Sequence, residues 1–118
     1  METLRISPRV VFYKEDGEWI AHCLEFDLCG NGRTKASALK LLSGAIETQV
    51  DATLADGSPA ELFFPADREI FRRFAAGRPI STAKMRLRVR GHTDVVCIEE
   101  TEAREYLEDL ASKSLISA

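Results

Sequence analysis

Val10-Val11-Phe12-Tyr13-Lys14-Glu15-Asp16-Gly17-Glu18-Trp19-Ile20-Ala21-His22-Cys23-Leu24-Glu25-Phe26 carries the strongest folding signal in the chain. Residues 9–14 are rich in β-branched and aromatic types and read as a strand. Asp16-Gly17 then sits between two apolar runs, a strong hairpin signal because glycine supplies the positive φ of a primed turn. Glu18 to Phe26 reads as the return strand. Its alternation puts Trp19, Ala21 and Cys23 on one face and Ile20, His22, Leu24 and Phe26 on the other. Both faces are partly apolar. One is expected under a helix, the other under a second chain.

Outward from the hairpin, Cys29-Gly30-Asn31-Gly32 breaks the alternation and Thr34 offers a helix cap. Leu39, Leu42, Ile46, Val50 and Leu54 recur at helical spacing, flanked by Ala38, Leu41 and Ala45, which predicts an amphipathic helix of about five turns. Asp56-Gly57-Ser58-Pro59 ends it. A short second helix is expected from an Asp67 cap to Ala76, with Gly77 closing it, Ile70, Phe71 and Phe74 buried and Arg68, Arg72 and Arg73 wet. Lys84 to Arg90 alternates strictly and reads as a half-buried strand. Val95 to Ile98 reads as another, and Thr101 as the cap of a last helix carrying Tyr106, Leu107 and Leu110. The expected class is α+β: a small antiparallel sheet with one long helix on a face, a ββαβ core, and short C-terminal helices. A single domain spans 1–118, with its core at 4–57, a connector and short helix at 58–83, and strands plus a helix at 84–118.

Length and composition agree. The chain has 118 residues, 45% hydrophobic and 30% charged, which suits one ordinary globular core. A net charge of −3 excludes polyanion binding by bulk attraction. Three cysteines, Cys23, Cys29 and Cys97, argue against a disulfide framework. The first residues lack a signal-peptide pattern, and no apolar run approaches the ~20 residues of a membrane span. The expected address is the cytoplasm, with no membrane partner.

From Val10 to Val50 the chain resembles the HicB family of antitoxin and antitoxin-like proteins. The residues that carry the resemblance are the strand Val10–Tyr13, the turn Asp16-Gly17, the run Trp19-Ile20-Ala21-His22-Cys23-Leu24-Glu25-Phe26-Asp27-Leu28, then Gly32-Arg33-Thr34 and the helix Ala38–Val50. The resemblance implies a partial RNase-H-like sheet-plus-helix fold without enzyme activity, association into oligomers, and binding of a small HicA-type mRNA-cleaving toxin. The C-terminal third presents no recognisable helix-turn-helix or ribbon-helix-helix.

Each candidate chemistry has a blander reading of the same residues. A metal-dependent nuclease needs carboxylates converging on metal ions. Glu25 and Asp27 lie together near a strand end, and the bland reading leaves Glu25 solvated and Asp27 bonded to its own loop backbone. A zinc site from Cys23, Cys29, Cys97 and His22 or His92 lacks the usual close ligand pairs, so no metal or cofactor is expected. No base is placed beside a thiol, and no catalytic residue is assigned.

Charge is more informative. Residues 68–90 hold eight of the sixteen basic residues and one acid, whereas 94–109 hold seven acids and one base. Lys84, Arg86, Arg88 and Arg90 share one strand face at about 6.5–7 Å intervals, and with Arg68, Arg72 and Arg73 they are the candidate nucleic-acid contacts. Edge protection and pairing with the acidic C-terminal segment are the other readings. The expected function is therefore a HicB-like, non-catalytic binding protein. Its partner is a HicA-type toxin or a further copy of itself, with DNA or RNA binding through the basic segment as the alternative and a metal-dependent nuclease as a weaker one.

Overall fold

The computed structural model describes residues 4–55, 59–80, 96–98 and 101–107. In chain order these form β1 (Leu4–Ile6), β2 (Arg9–Glu15), β3 (Glu18–Cys23), β4 (Leu28–Gly32), α1 (Lys35–Ala55), a 3-10 turn (Pro59–Leu62), α2 (Arg68–Ala76), β5 (Arg78–Pro79), β6 (Val96–Ile98) and β7 (Glu102–Glu105). The class is α+β. Five strands make one mixed sheet in the order β4-β3-β2-β7-β5, and β1 pairs with β6 in a separate two-stranded ladder.

β2 occupies the middle of the sheet. Val10, Val11, Phe12 and Tyr13 are all buried, the unbroken apolar run of a strand covered on both faces. Val10 and Phe12 pack with Ala21, Cys23 and the α1 residues Leu39, Leu42, Ile46 and Val50. Val11 and Tyr13 pack on the other face with Leu24, Ala66, Ile70, Phe74 and Tyr106. The hairpin forms as its sequence dictates: Asp16 (φ +52°) and Gly17 (φ +82°) both take the left-handed conformation of a primed turn. Thr34 caps α1 by accepting from the Ser37 amide at 3.0 Å, and Asp67 caps α2 by accepting from the Glu69 amide at 3.2 Å.

Five expectations are corrected. The sheet is not wholly antiparallel, because β7 runs parallel to β2. Residues 102–105 are a strand rather than a helix begun at Thr101: Ala103 and Glu105 are buried while Glu102 is exposed, a period of two rather than 3.6. The return strand stops at Cys23. A tight turn follows, with the Asp27 amide donating to the Cys23 carbonyl at 3.1 Å, and it carries Phe26 into the α1-side core. The other face of β3 is covered by α2 and Tyr106 of the same chain, so no second chain is needed there. β6 is a strand as expected, but it joins β1 and not the hairpin sheet. Lys84 to Arg90 and Leu110 lie outside the described residues. Among those residues no helix is long and apolar enough to cross a membrane.

The segment read as a break, Cys29 to Gly32, is most of β4, paired with β3 through His22↔Cys29, Ala21↔Gly30 and Ile20↔Asn31. Its glycines are required by α1, which lies directly on the strand. A Cβ on Gly30 would collide with the Ala38 carbonyl oxygen and the Leu42 amide, and one on Gly32 would come within 2.7 Å of Ser37 Cβ. These obstacles are largely backbone and cannot step aside. Gly30→Ala is therefore expected to lower stability by about 2–3 kcal/mol or more in urea unfolding, with the slope unchanged. Stability within about 0.5 kcal/mol of the parent would show that α1 does not sit there.

Candidate functional site

The basic residues nominated from sequence are only partly free to meet a ligand. Arg68 is exposed. Arg72 donates to both Glu69 carboxylate oxygens, at 2.8 and 2.5 Å, and its guanidinium lies 5.8 Å from the Tyr106 ring centre. Those hydrogen bonds hold the exposed Glu69 carboxyl down to about 2. Arg73 is not on the wet side of α2: its guanidinium stacks 4.5 Å over Tyr13 and 5.9 Å from Tyr106. The helix lies flat on the sheet, and the aromatic faces below it offer a cation a better place than the expected solvent. Lys84, Arg86, Arg88 and Arg90 fall outside the described residues.

Basic and acidic segments meet at Glu105. Its buried carboxylate accepts from Arg78 at 2.9 and 3.1 Å and pairs with Lys35 at 2.5 Å. Lys35 also lies 4.8 Å over Trp19. One carboxylate thus ties the start of α1 to β5 and β7. A buried carboxylate without such partners would be strongly unfavourable. The Lys35 hydrogen bond, then that of Arg78, hold the Glu105 pKa below the usual 4.5 against the opposing effect of burial.

The acids near the β3 terminus do not converge. The Glu25 carboxylate is not simply solvated: it accepts from the Arg9 amide at 2.7 Å and from Arg9 Nε at 2.6 Å. Asp27 bonds His22 Nε2 at 2.7 Å rather than its own backbone. Tyr13 Oη lies 2.9 Å from His22 Nδ1. A carboxylate only accepts, so Nε2 carries a proton, and in the neutral ring Nδ1 would then accept from the phenol. This Tyr-His-Asp chain has the connectivity of a general-base relay. Its head group does not suit that work, because Tyr13 is buried and burial pushes its pKa up to about 12. The chain instead fastens the 24–27 turn to the hairpin. Cys23, raised to about 12 by burial, and Cys29, raised to about 11 by burial and then by the Asp27 charge, stay protonated at neutral pH and are poor nucleophiles. Among the described residues no three His, Cys, Asp or Glu side chains are grouped to hold a metal ion.

Among the described residues, one edge of the sheet has no partner strand. β5 closes one side with two residues, an arginine and a proline, the usual means of blocking an edge. β4, at the other side, has five residues with neither charge nor proline. Beside it an open hollow of about 630 Å³ runs along α1, lined by β4 and by Ser37, Lys40, Leu41, Gly44, Ala45 and Thr48. Leu41 is 54% exposed there, and a Cβ on Gly44 would meet nothing. Sequence reading counted Leu41 as a flank of the buried stripe and gave these residues no role. The missed signal was a second stripe, Ser37, Leu41, Gly44/Ala45 and Thr48, at the same helical spacing. Phe64, 67% exposed, and Phe63, 44% exposed and 5.4 Å from the Phe26 ring, form a smaller apolar spot.

No protein-family model, curated protein or solved structure matches the chain.

Glu105→Gln removes the charge that Lys35 and Arg78 share. Because the folded pKa is depressed, the carboxylate's contribution is present above about pH 4.5 and is lost as pH falls through the lower folded value. The variant should be about 1–3 kcal/mol less stable at pH 7, discounted for the exposure of Arg78. The gap should narrow in urea titrations below pH 4.5. A pH-independent gap would contradict the assignment.

Proposed function

We propose that this chain is a HicB-like, non-catalytic protein of antitoxin type, which works by binding protein partners through the β4 edge and the adjoining stripe of α1. The observation that carries this reading is the contrast between the sheet's two edges. An unblocked strand edge is a template for pairing with another chain, and here it lies beside an exposed leucine on a helix whose other face is core. The order of strand, Asp-Gly turn, strand and Thr-capped helix on which the HicB resemblance rests supports the same reading. The nucleic-acid alternative gains nothing from Arg72 and Arg73, whose guanidinium groups are engaged with Glu69, Tyr13 and Tyr106.

A HicA-type RNA-cleaving toxin is the partner to test. Mixed with the purified chain, it should lose RNA cleavage at about equimolar ratio. Suppression should be at least tenfold weaker with Leu41→Glu, about 1.4 kcal/mol of lost binding. Cleavage that persists under excess parent chain would overturn the antitoxin reading.

A further inference from the structure

We infer that the β4 edge takes a basic-apolar-basic segment of its protein partner as an added antiparallel strand; this rests on the reading of that edge as a contact surface. Register decides which backbone groups face outward. The Leu24 amide donates to the Arg9 carbonyl at 3.0 Å, so every second pair of the hairpin exchanges hydrogen bonds: Val11↔His22, Tyr13↔Ile20 and Glu15↔Glu18. Ile20 and His22 therefore turn their amides and carbonyls to β2, while Trp19, Ala21 and Cys23 turn theirs to β4. Their partners there are Gly32, Gly30 and Leu28. Cys29 and Asn31 are left pointing away from the sheet, and no described strand lies beyond them. Both also line the hollow beside α1. An antiparallel segment laid there exchanges a pair of hydrogen bonds with each of them, and its middle residue falls opposite Gly30.

The two faces of the edge set the chemistry of that segment. Residues opposite one another share a face, so the middle side chain rises on the α1 side. Gly30 lies against Leu41 and Leu42 of the helix, and the Leu41 side chain is exposed. Gly44 and Ala45 leave the hollow roomy enough for a branched aliphatic side chain, and Lys40, the one charged residue lining it, disfavours a cation there. A strand joins at about 4.8 Å and brings no helix with it, so α1 is met by side chains alone. The two neighbours of the middle residue lie opposite Cys29 and Asn31 and share their face, which is acidic. The Asn31 side-chain amide donates to the Glu18 carboxylate at 3.2 Å. Burial, then the charges of Asp27 and Glu15, push the Cys29 thiol up to about 11. Asp27 and Glu18 are both exposed, and opposite charges on neighbouring strands attract. Alternation puts the exposed Arg33 on the same face just past β4, which confines the basic residues to the places opposite Cys29 and Asn31.

Nuclear magnetic resonance on the isotope-labelled full chain, titrated with the capped synthetic peptide Thr-Thr-Lys-Val-Lys-Thr-Thr, tests this. At about 1 mM peptide the Cys29 and Asn31 amides should shift and exchange with solvent about tenfold more slowly. The Gly30 and Gly32 amides, already turned to β3, should change little. Replacing both lysines of the peptide by glutamate should weaken binding at least tenfold. Methylating the two lysine amides, the donors to the Cys29 and Asn31 carbonyls, should abolish it. No slowing at Cys29 and Asn31, or equal binding of the methylated peptide, overturns the added strand. Equal binding of the glutamate peptide overturns the basic preference. The toxin assay separates this inference from the reading beneath it. A chain that blocks the toxin through Leu41 yet takes no such peptide keeps the contact surface and discards strand addition. A chain that takes the peptide and leaves the toxin active keeps strand addition and discards the antitoxin role.

Discussion

The backbone of α1 rests on the backbone of β4 at Gly30, with no side chain between them. Most of the architecture depends on that contact. It turns the Leu39, Leu42, Ile46 and Val50 side of the helix down onto the hairpin, where Phe12, Ala21 and Cys23 receive it. It also places α1 above an edge strand rather than over the middle of the sheet. Leu41, off the buried stripe of the helix, stays 54% exposed. The buried core and the open surface are two results of one close approach.

The opposite face is held differently. α2 is nine residues long, and a helix this short gains little from its own hydrogen bonds. It is fixed by Ile70 and Phe74 in the second cluster and by guanidinium groups stacked on rings: Arg73 on Tyr13, Arg104 on Phe74 at 4.4 Å, Arg9 on Phe71 at 5.5 Å. Each such pair contributes on the order of 0.5–1 kcal/mol where exposed, and more where desolvated. Charge that reads in sequence as a nucleic-acid surface is, in α2, partly the packing of the sheet's second face.

Local signals in the sequence led to the right elements. Asp16-Gly17 specified the hairpin, Thr34 and the leucine spacing specified α1, and Asp67 and Gly77 bounded α2, because each feature acts within a few residues of itself. Where partners are distant, the reading failed. Gly30 and Gly32 look like a loop until a helix is known to press on them. Glu102 to Glu105 has polar residues at a strand's exposed positions and a carboxylate at a buried one, and Lys35 and Arg78, far along the chain, make that burial tolerable. The proposed contact surface was not legible for a related reason. A stripe of serine, glycine, alanine and one leucine carries little weight until the adjacent sheet edge is seen to be open.

The proposed binding role rests on one sheet edge left without a partner strand among the described residues, while both faces of the hairpin are covered from within. That account stands on the α1–β4 contact. Nuclear Overhauser spectroscopy on isotope-labelled protein measures it directly. The account expects strong cross-peaks from the Gly30 Hα protons to protons of Ala38 and Leu42. An intact β2–β3 hairpin whose Gly30 shows no cross-peak to α1 would contradict it, and with it the edge as the place where partners bind.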